Sequence, residues 1–350
     1  MHSPVSATID ASVLAIPIYT NKEEAFNYIE TLINLSSIAN DKLVSLFLSE
    51  KIQDILFSSD LFPLKDKLSI LLESNEIKEF NSKEIFYVIS KLLRLQPSLE
   101  CNYCIRKVES KIIETDPSVL KIIDNPTIQD ELLKSVTMNA ILNEHCSDFL
   151  GHHLLFLKKA PKRTIQITAE IINIEHDRDD LTDLAVSPDY FKGNALICDE
   201  VPELIKSIDH CSVLANANDE DSLLFAIRVA LFKSQSEDTQ SEQYCWDDIE
   251  GPKIGNDFLE CCKKICKERE PSMPSKILDA IVKTVTGKNT QEVHELRRGK
   301  GASEPQKKRG NDKAYRQDVD HEIHLHYWKC EDKSIELASL VYHNDFTIPQ

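Results

Sequence analysis

Eight glycines in 350 residues leave this chain few places where the backbone can turn left-handed or approach a phosphate closely. That scarcity argues against sandwiches and propellers, which turn often, and against a Gly-rich phosphate loop as the organising motif. Leu, Ile, Lys and Glu dominate instead, a composition that leans helical. An apolar fraction of 41% beside a charged fraction of 28% is enough to build a real core. The length has room for two or three domains.

Helical spacing runs through the first part of the chain. Phe26, Ile29, Leu32 and Ile33 repeat at that interval, as do Leu43, Leu46 and Phe47, then Leu68, Leu71 and Leu72. Asn81 and Glu84 form a capping-box pattern ahead of Ile85, Val88, Ile89 and Leu92. Pro63, Pro97, Pro117 and Pro126 punctuate the array at expected helix starts. A helical domain is therefore expected over residues 1–160.

The texture then changes. Residues 164–174 (TIQITAEIINI) alternate and are rich in β-branched side chains, which predicts a strand; 195–198 suggest another, followed by a helix over 202–208. Residues 223–232 (LLFAIRVALF) fit a buried helix or a buried strand equally. A mixed α/β segment is thus expected over 161–233. The polar run 234–243 (SQSEDTQSEQ) has no apolar residue and predicts a linker over 234–249. Beyond it, residues 257–267 and 274–286 read as helices, the second closed by Gly287. Residues 292–297, 315–319, 322–329 and 334–342 read as strands. The expected fold class is α+β: a mostly helical N-terminal region, then a small C-terminal domain, residues 250–350, of two helices packed on an antiparallel sheet.

Charge is uneven. The chain carries a formal net charge of −17, yet eight cations against three carboxylates between His294 and Arg316 give that stretch a local excess of five. A basic island of this kind suits phosphate binding, and the bland alternative is a solvated loop. The cations are Arg297, Arg298, Lys300, Lys307, Lys308, Arg309, Lys313 and Arg316. The ten cysteines are scattered, Cys101-x-x-Cys104 has no second pair at zinc-ribbon spacing, and the start lacks a leader pattern. Reduced thiols and a cytoplasmic location are expected. No apolar run approaches the roughly 18 residues of a membrane span, so no membrane partner is expected.

Histidines gather in the same region: His294, His321, His324, His326 and His343 lie within fifty residues. On a strand His324 and His326 project to one face, and a hairpin of the last two strands brings His343 near the start of the preceding one. Cleaving RNA without metal needs a base for the 2′-hydroxyl, an acid for the leaving 5′-oxygen and cations around the phosphorane-like transition state. His, Glu, Arg and Lys are the right parts, and Tyr315, Tyr327, Tyr342 and Trp328 offer rings for stacking.

The stretch YRQDVDHEIHLHYWKCEDKSIELASLVYHND, residues 315–345, resembles the end of RelE-superfamily mRNA interferase toxins, the YoeB branch in particular. The Glu295-Leu296-Arg297 element is similar to the family's upstream acidic–basic motif. The resemblance implies His343 as general acid, Glu295 as general base, and Arg297 and Arg316 as phosphate clamps. His324 stands where the family has a hairpin arginine. Arg298, Lys300, Lys307, Lys308, Arg309, Lys313 and Tyr315 are the expected RNA-binding residues. No cofactor or metal is expected. The implied partner is RNA, free or on the ribosome, with an antitoxin or regulatory protein as a second, and the acidic N-terminal region as a built-in restraint. Stress response or phage defence is the implied setting.

Two other readings stay open on the residues alone. His324, His326 and His343 with Asp320 or Asp345 could ligate zinc or manganese, giving a metal-dependent nuclease. The domain could also bind nucleic acid as an adaptor without chemistry.

Overall fold

The computed structural model describes residues 5–18, 20–39, 44–119, 124–145, 153–158, 162–178, 190–238, 246–288, 293–299 and 304–349. The chain divides into two compact units, Met1–Ser207 and Ile208–Gln350.

The first unit runs β1 (Val5–Ile9), α1 (Ala11–Leu14), α2 (Lys22–Ile38), β2 (Val44–Phe47), α3 (Ile52–Ser58), α4 (Lys65–Ser74), α5 (Ser82–Leu92), α6 (Leu99–Tyr103), β3 (Ile105–Asp116), α7 (Pro126–His145), β4 (His153–Phe156), β5 (Thr164–His176), β6 (Phe191–Cys198) and α8 (Val201–Lys206). Its described strands form one mixed sheet in the order β2-β1-β4-β6-β5-β3. β2, β1, β4 and β6 are parallel, while β5 and β3 add antiparallel strands at one side. The expectation of a mostly helical N-terminal region is therefore wrong: four of this sheet's strands fall before residue 160. The physical reason is burial on both faces. A short parallel strand such as VSLF is apolar and buried nearly throughout, carries no period of two, and mimics a helical turn.

A buried histidine helps lock this sheet. His153 on β4 is hydrogen-bonded with Thr8 at 2.6 Å and Ser6 at 3.0 Å on β1, and with the Tyr103 hydroxyl at 3.1 Å. Burial pushes its pKa down to about 3, so the ring is neutral and acts as a polar rivet.

Two carboxyls in this unit are held out of water. Asp10 caps α1, accepting from the Ser12 amide at 2.8 Å, and burial raises its pKa. Glu131 on α7, the helix that packs against α1, is pushed up to about 7 by burial first and by the Asp10 charge second. A carboxyl whose folded pKa lies above its unfolded value favours folding most when protonated, so stability falls as pH rises from about 4.5 to about 7. Glu131→Gln should remove that dependence and exceed the native chain at pH 7.5 by about 1–2 kcal/mol. Hydrogen exchange of the α7 amides between pH 5 and 7.5 reads it; protection in the native chain that does not fall with pH would refute it.

The second unit runs α9 (His210–Ala215), α10 (Glu220–Asp238), β7 (Lys253–Ile254), α11 (Phe258–Glu268), α12 (Met273–Thr286), β8 (Val293–Glu295), β9 (Lys308–Arg309), β10 (Asp312–Asp318), β11 (Ile323–Lys329) and β12 (Ile335–Tyr342). The sheet order is β7-β12-β11-β10-β8, with β9 also paired to β10. β8 to β12 are antiparallel, whereas β7 runs parallel to β12. α11 and α12 are amphipathic and bury Phe258, Cys262 and Ile265, and Ile277, Leu278 and Ile281.

The unit is not the small two-helix-on-sheet domain expected. It begins at Ile208, and α10 packs on α9 and α12. LLFAIRVALF resolves as helix because Asp219 caps it, its carboxylate accepting from the Ser222 amide at 2.8 Å. α10 continues to Asp238, into the run expected as a linker; residues 239–245 lie outside the described residues. No helix of the described residues is long and apolar enough to cross a membrane.

Candidate functional site

Register decides which polar side chains meet. Across the second sheet His294 on β8 stands opposite Arg316 on β10, which stands opposite His326 on β11. Asp318 on β10 stands opposite His324 on β11. Side chains alternate along a strand, so these five residues project to the same face. The C-terminal segment crosses that face: Ile348 packs with Ala314 and Trp328, and Trp328 Nε1 donates to the Pro349 carbonyl at 3.0 Å. Lys307 Nζ donates to the Phe346 carbonyl at 2.6 Å, and His326 Nδ1 to that of Thr347 at 2.8 Å.

At one end of this face three side chains form a chain of contacts. Asp318 Oδ1 lies 2.7 Å from His324 Nδ1, and His324 Nε2 lies 2.7 Å from His343 Nδ1. The His343 amide donates to the Glu322 carbonyl at 2.7 Å, fixing the ring's backbone beside the hairpin. His324 is 2% exposed, whereas His343 is exposed to solvent. Burial lowers the His324 pKa against the opposing pull of Asp318, and burial takes His326 down to about 4.

Beside this chain opens a cleft of about 540 Å³ lined by His294, Glu295, Arg297, Arg316, His343 and Asn344, among others. The structure thus places His343, Glu295, Arg316 and Arg297 around one cavity, with His324 beneath. Glu295 is paired with Arg297 at 3.3 Å and stands opposite Tyr315 in the register, so it reaches the rim from the other side of β8 than His294 does.

The expected RNA-binding residues divide. Arg309 is spoken for by Asp312 at 3.0 Å and Glu336 at 2.7 Å and lies 4.9 Å over the Trp328 ring. It ties β9 to β10 and β12, with Lys307 tying down the C-terminal segment. Arg298, Lys308 and Lys313 are exposed and open to a polyanion. Tyr315 stacks on Tyr327 with centroids 5.7 Å apart. Lys300 lies outside the described residues.

The proposed metal ligands do not converge. His324 engages Asp318 and His343, His326 turns Nδ1 to Thr347, and Asp320 and Asp345 cap local turns. Among the described residues no group of three His, Cys, Asp or Glu side chains is disposed to hold a metal ion.

Sequence reading missed Asp318 and left His294 out of the site. Counting pairs back from the turn at residues 319–322 would have found Asp318 opposite His324, and continuing across β10 would have put His294 beside Arg316. Set against protein-family models, curated proteins and solved structures, the chain gives no match in any of the three comparisons.

Proposed function

We propose that the second unit is an endoribonuclease that cuts RNA by metal-independent acid–base chemistry. The observation that carries this reading is the cleft itself, where two imidazoles, His343 and His294, share one cavity with the guanidiniums of Arg316 and Arg297. One imidazole takes the 2′-hydroxyl proton as the 2′-oxygen bonds to phosphorus. The P–O5′ bond breaks and the 5′-oxygen takes a proton from a second group. The products are a 2′,3′-cyclic phosphate and a 5′-hydroxyl. Imidazole suits both roles because its ordinary pKa lies near neutrality. The guanidiniums offset charge on the phosphorane-like transition state, and Arg298, Lys308 and Lys313 extend a basic approach for the strand.

The resemblance of residues 315–345 to interferase toxins supports a toxin or defence effector acting in the cytoplasm, on RNA alone or on the ribosome. In this reading the N-terminal unit restrains or targets the nuclease, and a separate antitoxin or regulatory protein is a further partner. The charge contrast between the acidic chain and its basic island motivates the restraint.

The test is the full chain incubated with RNA in excess EDTA, with and without ribosomes, and the new ends mapped. Cyclic phosphate and 5′-hydroxyl ends formed in chelator are expected. Cleavage only after added manganese or magnesium would replace this reading with a metal-dependent one. Salt-sensitive binding without cleavage in every condition would make the unit an adaptor.

A further inference from the structure

We infer that Asp318 and His324 are positioning residues that fix the tautomer of His343, leaving its Nε2 as a proton acceptor in the cleft and so making His343 the general base. The inference deepens the nuclease reading and takes its substrate from it, but its physical content stands on three side chains.

The protons can be counted along the chain of contacts. Asp318 is a carboxylate and accepts, so the 2.7 Å contact puts a proton on His324 Nδ1. Neutral His324 then has a lone pair on Nε2. The next contact, also 2.7 Å, needs one proton between two nitrogens, and only His343 Nδ1 can supply it. Neutral His343 therefore carries hydrogen on Nδ1 and a lone pair on Nε2, the form that takes a proton from a 2′-hydroxyl. The opposite tautomer, a neutral His343 with its hydrogen on Nε2 and a lone pair on Nδ1, requires a charged His324. The 2% exposure of that ring disfavours it, and its lowered pKa agrees.

When His343 takes up the proton, its Nδ1–H still points at His324, which is oriented by the Asp318 carboxylate. The cation is thereby stabilised through two hydrogen bonds, as in any acid–imidazole pair extended by one ring. The other charged or titratable groups lining the cleft with His343 are Arg316 on β10 and His294, Glu295 and Arg297 at β8, and Glu322 lies beside its backbone. Arg316 also opposes charge on His324. With the base assigned, the proton for the 5′-oxygen falls to His294 on the same sheet face.

Asp318→Asn is a sharp perturbation because it can invert the relay. An amide nitrogen donating to His324 Nδ1 would move the His324 hydrogen to Nε2 and reverse the next bond. His343 would then hold its hydrogen on Nε2, with no lone pair in the cleft.

The experiment is nitrogen-15 NMR of the imidazoles in the full chain labelled at histidine, with His343 assigned by His343→Gln, across pH 5 to 9. In the native chain the neutral His343 signal should be that of the Nδ1–H tautomer. In Asp318→Asn the tautomer should invert or the His343 proton affinity should fall about tenfold, with Asp318→Glu restoring the native signal in part. Cleavage should fall about 10²-fold in Asp318→Asn, with the acidic limb of the pH–rate profile displaced. A native Nε2–H tautomer at neutral pH overturns the inference without any variant being needed. So does an Asp318→Asn protein that folds with the His343 signal and titration unchanged. The native tautomer with no cleavage anywhere would keep the relay and remove the nuclease.

Discussion

His343→Ala is expected to slow RNA cleavage by about 10²- to 10⁴-fold while leaving the fold intact, because the exposed ring touches the protein chiefly through its 2.7 Å contact with His324. Arg316→Ala should cost about 10²- to 10³-fold, the range for removing one preorganised donor from developing charge. Arg316→Lys should recover only part of that, since an ammonium cannot span two phosphate oxygens as a guanidinium does. The double variant should be little worse than His343→Ala alone, as groups acting on one transition state do not add. His294→Ala and Glu295→Ala then separate two assignments. The register puts His294 on the face of Arg316 and puts Glu295 opposite Tyr315, so the larger loss is expected at His294. Single-turnover rates on the full chain, with the fluorescence of the buried Trp246 and Trp328 as the check on folding, decide it. A His343→Ala protein that cleaves at the native rate removes the proposed chemistry.

What could be read in advance follows from how local each signal is. Alternation in IHLHYWK marks β11 and the shared face of His324 and His326, because period two is written in neighbouring residues. The approach of His343 to His324 needs one hairpin and was legible for the same reason. Asp318 was not, since its link to His324 depends on register carried through a turn. Choosing between His294 and Glu295 depends on parity, where an error of one residue exchanges the faces. Arg309 reads as one more cation in a basic run; only the fold shows Asp312 and Glu336 neutralising it. In the N-terminal unit, β3 (IRKVESKIIETD) is heavily charged and barely alternates. Among the described strands it lies at the edge of the sheet, where charge discourages pairing with other chains, and its partner β5 lies some way along the sequence. Helical periodicity over α2, α4 and α5 was clear, but helices on a parallel sheet carry the same stripe as helices on one another.

The other large effect concerns where the second unit begins. A fragment of residues 208–350 is expected to melt cooperatively, and one of residues 245–350 is expected to show no cooperative transition. The shorter fragment contains α11, α12 and the described strands of the sheet, so among the described elements the difference is α9 and α10. α10 buries Leu223, Phe225, Ile227, Leu231 and Phe232, and it packs on α9 and α12. Each such side chain returned to water costs about 1.5–3 kcal/mol, and a few of them exhaust a net stability of about 5–15 kcal/mol. Trp246 shows the dependence at a single residue. It is 3% exposed, lies against Phe225 and Phe232, and has the Arg228 guanidinium 4.2 Å from its ring centroid. Arg228 also donates to the Ile249 and Trp246 carbonyls at 3.0 Å, stitching the helix to the segment that follows it. Trp246→Ala in the 208–350 fragment should therefore cost about 3–5 kcal/mol in denaturant melts. Equal melting of the two fragments, or a Trp246→Ala loss under 1 kcal/mol, would show that α10 is an appendage rather than part of the core. The same 208–350 fragment is the proper vehicle for the restraint idea. Freed of residues 1–207 it should be more toxic to its host than the full chain, whereas toxicity equal to or below that of the full chain would leave the N-terminal unit without an inhibitory role.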